Sequence, residues 1–252
     1  VKPQSAHLIS PKIRDMPLRA VRAICFDLDN TLWDVEPVLA RAERILSDWL
    51  ESRYPKIPER FPTAKIFELR AALLAENPHQ AHDFTFLRRE TLARAAHVCG
   101  YEPGVARTIA HEAFAVWHAA RNELEPFSDV IPALDALKAR YRLATLSNGN
   151  ADLGLIGLAH HFEVSLGASA LGCAKPDPRA YKQLAGALTL APAEILFVGD
   201  EPHADVVGPR NVGMQTVWVN RGAQAWPDSL AVADARVASL EELVSLLRPL
   251  AV

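Results

Sequence analysis

Cysteine is scarce: Cys25, Cys99 and Cys173 lie far apart in a chain of 252 residues. An odd, scattered set excludes a disulfide framework and a cysteine-based metal cluster, and it fits a reducing compartment. A large excess of one charge is missing too. The 27 basic and 30 acidic side chains leave a formal net charge of -3, which argues against a nucleic-acid or membrane surface as partner. No run approaches the roughly 20 apolar residues of a membrane span. The first twenty residues carry Lys2, Lys12, Arg14 and Arg19, broken by Pro3, Pro11 and Pro17. They hold no apolar core of signal-peptide length. An irregular arm packed on the surface of a cytoplasmic enzyme is the expectation. Internal repeats and low-complexity tracts are absent.

What is present is an ordinary globular composition, 50% hydrophobic and 23% charged, with length enough for one core or a core and a smaller second domain. The chain opens on Ile24-Cys25-Phe26, an apolar run that ends in Asp27 and Asp29. Short apolar runs bounded by polar residues read as buried strands. Two carboxylates at the end of such a strand are costly to desolvate and call for a positive partner, a divalent metal or a bound phosphate with its counter-ions.

Downstream, apolar spacing predicts helices over 36–53, 63–75, 84–99 and 105–122, with no strand-like run between Asp34 and Pro126. The first helix is expected to stop before Pro55 and Pro58. Trp49, Phe67, Phe114 and Trp117 fall on the apolar stripes and are read as packing residues. Alternation then resumes. A helix at 129–140 leads to a strand at 141–146 ending in Ser147-Asn148-Gly149, and a helix and short strand lead to Lys175-Pro176. A helix at 181–190 precedes a strand at 195–198 that ends in Gly199-Asp200. A strand at 214–219 and a capped helix at 239–247 close the chain. Alternating strands and helices imply a parallel sheet covered on both faces.

In such a sheet, ligands bind beyond the carboxyl ends of strands where the strand order reverses. If the strands ending in Asp27 and Asp200 are neighbours there, their carboxylates reach one ion, and hard oxygen donors suit Mg²⁺. Asp205 could add a further acid. Ser147 and the turn at Gly149 offer phosphate donors, and Lys175 adds a cation. Each signal alone is common in loops.

Together, Asp27-x-Asp29-x-Thr31, Ser147-Asn148-Gly149, Lys175-Pro176 and Gly199-Asp200-x-x-x-x-Asp205 come in a fixed order that resembles the haloacid dehalogenase superfamily over nearly the whole chain. The resemblance implies a Rossmann-like, doubly wound parallel sheet (1–33 and 129–252) with an inserted all-helical cap (34–128). It makes Asp27 the nucleophile and Asp29 the general acid and base. Thr31, Ser147, Asn148 and Lys175 become phosphate-binding groups. Asp27, Asp200 and the Asp29 carbonyl become Mg²⁺ ligands, with Asp205 as ligand or support. A small-molecule phosphate ester is the implied partner.

Asp29 narrows the chemistry. Dehalogenases of this superfamily typically lack the second acid because a halide leaves without a proton, whereas an alkoxide needs one. Finer likenesses at Asp27 to Asp34, His82-Asp83-Phe84-Thr85 and Ser147 to Ala151 are similar to bacterial phosphatases of FMN and of a ribityl-pyrimidine phosphate. Trp33, His82 and Arg88 are candidate substrate contacts, with Asp83 and Arg89 beside them. Other readings are a sugar-phosphate phosphatase, a phosphomutase, a 2-haloacid dehalogenase and a relative that binds without turnover.

Overall fold

The computed structural model describes residues 21–248; the expected surface arm lies outside them. The central strand β1 (Ala23–Phe26) is followed by five consecutive helices: α1 (Val35–Arg53), α2 (Lys56–Arg60), α3 (Thr63–Glu76), α4 (Phe84–Val98) and α5 (Pro103–Asn122). Then come α6 (Val130–Lys138), β2 (Arg142–Ser147), α7 (Leu153–Ile156), β3 (Val164–Gly167), α8 (Ala168–Leu171) and α9 (Pro178–Leu188). The last part holds β4 (Ile195–Gly199), a wide π turn (Pro202–Val207), α10 (Gly208–Asn211), β5 (Gln215–Val219), β6 (Ala235–Val237) and α11 (Leu240–Leu246). No helix among the described residues is long and apolar enough to cross a membrane.

The strands form one parallel sheet in the order β3-β2-β1-β4-β5-β6. This is a Rossmann-like fold, and β1 sits where the strand order reverses. Phe26 lies opposite Thr145 on one side and Val198 on the other. The carboxyl ends of β1, β2 and β4 therefore converge on one spot.

Side chains alternate across the sheet with a period of two. Ile24, Phe26, Leu196 and Val198 face Leu134 and Leu137 of α6 and Leu240 and Leu243 of α11. Ala23, Cys25, Ile195 and Phe197 face Tyr181, Leu184 and Leu188 of α9. Each fully buried large side chain contributes about 1.5–3 kcal/mol, so the two layers fix the strand register firmly.

Four of the first five helices, α1, α2, α4 and α5, build a separate hydrophobic cluster, against which α3 packs Ile66 and Leu69. Ala42, Leu46 and Leu50 of α1 recur every four residues and meet Leu92, Ala95 and Ala96 of α4 and Ile109, Ala113 and Trp117 of α5. Small residues at those crossings let the helix backbones approach closely. Asp34 caps α1 by accepting from the Glu36 amide at 3.1 Å, and Pro103 starts α5 where no amide hydrogen is needed.

Three features differ from the sequence expectation. α1 stops at Arg53, before Pro55 as expected, but an unexpected short helix, α2, follows with Pro58 in its first turn, whose amides have no helical partner. β6 is only Ala-Arg-Val, too short to carry a periodic signal. The π turn after β4 has no hydrophobic period of its own.

Candidate active site

After Phe26 the chain stays in the ladder for one more residue, with the Asp27 amide donating to Val198 O at 2.9 Å. It then folds into a tight loop. The amides of Thr31 and Leu32 both return to Leu28 O, the Asn30 amide reaches Trp33 O, and Asn30 adopts φ +60°. The loop leaves Asp27 and Asp29 on the floor of one cavity.

Lys175 locks the floor from beneath. Asn148 holds its backbone through paired bonds, Nδ2 donating to Lys175 O at 2.8 Å and Oδ1 accepting the Lys175 amide at 2.7 Å. The buried ammonium then donates to Asp27 Oδ1 at 2.6 Å and to Asp205 Oδ1 at 2.7 Å. Asp205 itself is fully buried in the π turn, and its other oxygen accepts the Glu201 amide at 2.9 Å. Gly199 makes this possible: a Cβ there would lie 2.4 Å from Asp205 Cγ.

Asp200 follows β4 and accepts the Thr31 hydroxyl at 3.0 Å, while its carbonyl accepts the Trp218 indole at 2.8 Å. At the end of β2, Ser147 Oγ accepts the Gly149 amide at 3.0 Å and remains beside the cavity. A Cβ on Gly149 would lie 2.7 Å from Asp29 Oδ2, so only glycine lets this turn approach the acid so closely.

The charges are unbalanced. One oxygen from each of Asp27, Asp200 and Asp205 lies within 4.8 Å of the others, and a single ammonium faces all three acids. Burial raises the Asp27 carboxyl well above the usual range, against the pull of Lys175. Burial and then Asp205 push Asp200 up to about 6. Burial also disfavours the Lys175 charge, but Asp205 and Asp27 outweigh it and hold the ammonium above the ordinary lysine range. Three hard carboxylates short of positive charge fit a small divalent cation, with Asp27 and Asp200 as the accessible donors.

Several sequence candidates occupy different places from those expected. Thr31 is fully buried and bonds Asp200, so it supports that acid and does not line the cavity. The Asn148 side chain is committed to the Lys175 backbone. Trp33 is also fully buried; its indole donates to Asp29 Oδ1 at 2.7 Å and the ring is closed off from the cavity. His82 and Arg89 stand outside the cavity lining, whereas Arg88 is part of it. Phe67 is not a packing residue: it is 59% exposed and forms cavity wall. Trp117 packs in the helical cluster and lines the cavity as well.

Sequence reasoning missed Arg121. It lies in the last turn of α5, is 1% exposed, and its Nη2 donates to both Asp29 oxygens at 2.7 and 2.8 Å. The helical region thus reaches down to the second acid of the opening motif. The signal was available, because Ala113, Trp117 and Arg121 recur every four residues on one buried stripe. A charge on such a stripe needs a partner.

Above the acids the cavity measures about 650 Å³ and is walled by Leu39, Phe67, Leu74, Phe84, Leu87 and Trp117, with Arg70 and Arg88 among them. A buried and a half-buried acid under a roomy, largely apolar chamber, at the reversal point of a parallel sheet, are the setting for hydrolytic chemistry. Residues 21–213 match the haloacid dehalogenase-like hydrolase family, and the chain belongs to it.

Within that family, the chain is 32% identical over 238 residues to the 5-amino-6-(5-phospho-D-ribitylamino)uracil phosphatase YigB of Escherichia coli (strain K12), spanning 92% of this chain and 98% of that protein. It is 36% identical over 161 residues to the phosphoserine phosphatase of Thermus thermophilus, covering 62% of this chain and 63% of that protein. The crystal structure of a 2-haloacid dehalogenase from Pseudomonas syringae pv. Tomato DC3000 superposes with a TM-score of 0.87 at 35% identity, covering 90% of this chain and 98% of that one.

Proposed function

We propose that this chain is a Mg²⁺-dependent phosphatase of a small-molecule phosphate monoester, acting through an aspartyl-phosphate on Asp27. The carrying observation is the second acid. Asp29 shares the cavity floor with Asp27, and Trp33 and Arg121 orient its carboxylate apart from the Asp27, Asp200 and Asp205 cluster. In this reading Asp29 is the group that moves the proton which an alkoxide leaving group requires and a halide does not. We also propose the division into a core (1–33 and 129–252) and a helical cap (34–128), supported by the separate cluster of α1, α2, α4 and α5.

In the first step an Asp27 oxygen attacks phosphorus, the bond to the ester oxygen breaks, and Asp29 gives its proton to the departing oxygen. In the second, Asp29 takes a proton from water as the water oxygen attacks the phosphorus of the aspartyl-phosphate. Inorganic phosphate leaves and Asp27 is restored. Lys175 steadies the nucleophile, and Ser147 with the neighbouring amides receives phosphoryl oxygens. A Mg²⁺ held by Asp27, Asp200 and the Asp29 carbonyl, with Asp205 in support, would neutralise charge on those oxygens.

The substrate best supported is FMN or a ribityl-pyrimidine phosphate. The Escherichia coli relative is named for such a compound, and a chamber of about 650 Å³ suits a ring-bearing ester. A kcat/KM panel of FMN, ribityl-pyrimidine phosphate, nucleoside monophosphates and sugar phosphates tests it. Selectivity for the first two is expected, and a strong preference for sugar phosphates would displace it. The Pseudomonas syringae structure supports a second reading, haloacid dehalogenation. Chloride release from 2-chloropropionate, with no phosphate release across the panel, would favour that instead.

A further inference from the structure

The cap side of the cavity holds a cation to which no described residue gives a hydrogen bond or an ion pair. Arg70 of α3 lines the chamber, its Nε is buried with no hydrogen bond, and it forms no ion pair among the described residues. Its guanidinium lies 5.5 Å from the Phe67 ring centre. The charge of the neighbouring acid, Glu43, favours the guanidinium, but no hydrogen bond joins the two. Glu43 is already engaged by Arg88 at 2.6 and 3.2 Å and by the Trp117 indole at 3.0 Å, and Arg88 lies 3.7 Å over the Trp117 ring. Burial and then the Arg88 charge hold Arg70 below the ordinary arginine range. A donor group in that setting favours an incoming acceptor.

The surface around it says what kind. Phe67 and Phe84 are 59% and 51% exposed although both line the chamber. Exposed aromatic faces lining a concavity suit a flat apolar partner. A small carboxylate would satisfy Arg70 but leave those rings and most of 650 Å³ uncovered. A purely hydrocarbon ring would cover the walls but leave Arg70 unpaired.

We propose that Arg70, with Phe67 and Phe84, reads the non-phosphate end of the substrate, and that this end is a planar heteroaromatic ring carrying carbonyl or ionised ring oxygens. The ring covers the two phenylalanines while its oxygens accept from Arg70. This deepens the phosphatase reading and rests on it.

Riboflavin, which has the ring without the phosphate, separates the two ideas. Its binding is followed by fluorescence quenching. KM is measured in parallel for FMN and for ribitol 5-phosphate, which has the phosphate without the ring, and p-nitrophenyl phosphate with Mg²⁺ reports turnover. Arg70→Ala is expected to weaken riboflavin about tenfold and to raise the ratio of FMN to ribitol 5-phosphate KM by about the same factor. Arg70→Lys is expected to recover part of the loss. Arg89→Ala, outside the chamber, is expected to change neither. Should Arg70→Ala fold poorly, Phe67→Ala at its exposed position gives the same comparison.

Riboflavin bound equally well by wild type and Arg70→Ala, no riboflavin binding by wild type, or a parallel rise in both KM values would overturn the ring subsite. Hydrolysis of p-nitrophenyl phosphate would meanwhile leave the phosphatase reading standing. Arg70-dependent riboflavin binding without phosphate release from any ester would do the reverse.

Discussion

At the scale of single residues, the site is a small charge ledger with named occupants. Asp27 and Asp205 share the Lys175 ammonium, while Asp29 is satisfied from outside by Trp33 and Arg121. Asp27→Asn is expected to lower kcat by about 10⁴-fold or more and to leave the circular dichroism spectrum unchanged. Asp29→Asn is expected to cost about 10²–10⁴-fold, the range of a lost proton-transfer group. Wild-type turnover in either purified variant would reject its role. Arg121→Ala frees Asp29 from its partner on α5; a loss of about 1.5–3 kcal/mol in urea unfolding and up to about 10²-fold in kcat are expected. The acids, Ser147 and Lys175 were readable as a motif because chemistry constrains both their type and their order. The stripe of Ala113 and Trp117 marked Arg121 as a charge in need of a partner, but that this partner is Asp29, and that Trp33 shares it, only the fold shows.

Elements supply the convergence. Parallel pairing of β1 with both β2 and β4 places three strand ends side by side, and the π turn then returns Asp205 beneath Lys175. Close approaches at Gly199 and Gly208 hold this arrangement. A Cβ on Gly208 would lie 2.1 Å from the Tyr181 hydroxyl, which donates to Ala204 O at 2.5 Å and ties α9 to the turn. Gly208→Ala is expected to destabilise by about 1–3 kcal/mol in urea unfolding, and no loss would mean that the turn yields easily. The strands and long helices were legible because burial imposes periods of two and of 3.6 on them. The π turn and β6 were illegible for the converse reason: one has no period, and the other is three residues with an exposed Arg236 in the middle. The long helices were found but the faces of α3 were misread, since Phe67 on an apolar stripe looks alike whether it meets a core or a cavity.

For the whole molecule, the acid cluster couples stability to pH and, on the proposed reading, to Mg²⁺. A carboxyl whose folded pKa is raised binds its proton more tightly when folded, so its stabilisation is present at low pH and is lost as pH rises. For Asp200 that window runs from 3.8 to about 6. The contribution of Asp200 to Tm in the metal-free protein is therefore expected to fall across this range, and Mg²⁺ to raise Tm more near about pH 7 than near about pH 4.5. An equal effect of Mg²⁺ at both would remove the cluster as its site. The central claim is that Asp27 takes the phosphoryl group before water does. The stereochemical course at phosphorus tests it most directly, using an isotopically chiral phosphate monoester and an alcohol acceptor. Two successive in-line displacements give retention, the result expected here; inversion would mean a single direct displacement and contradict the account.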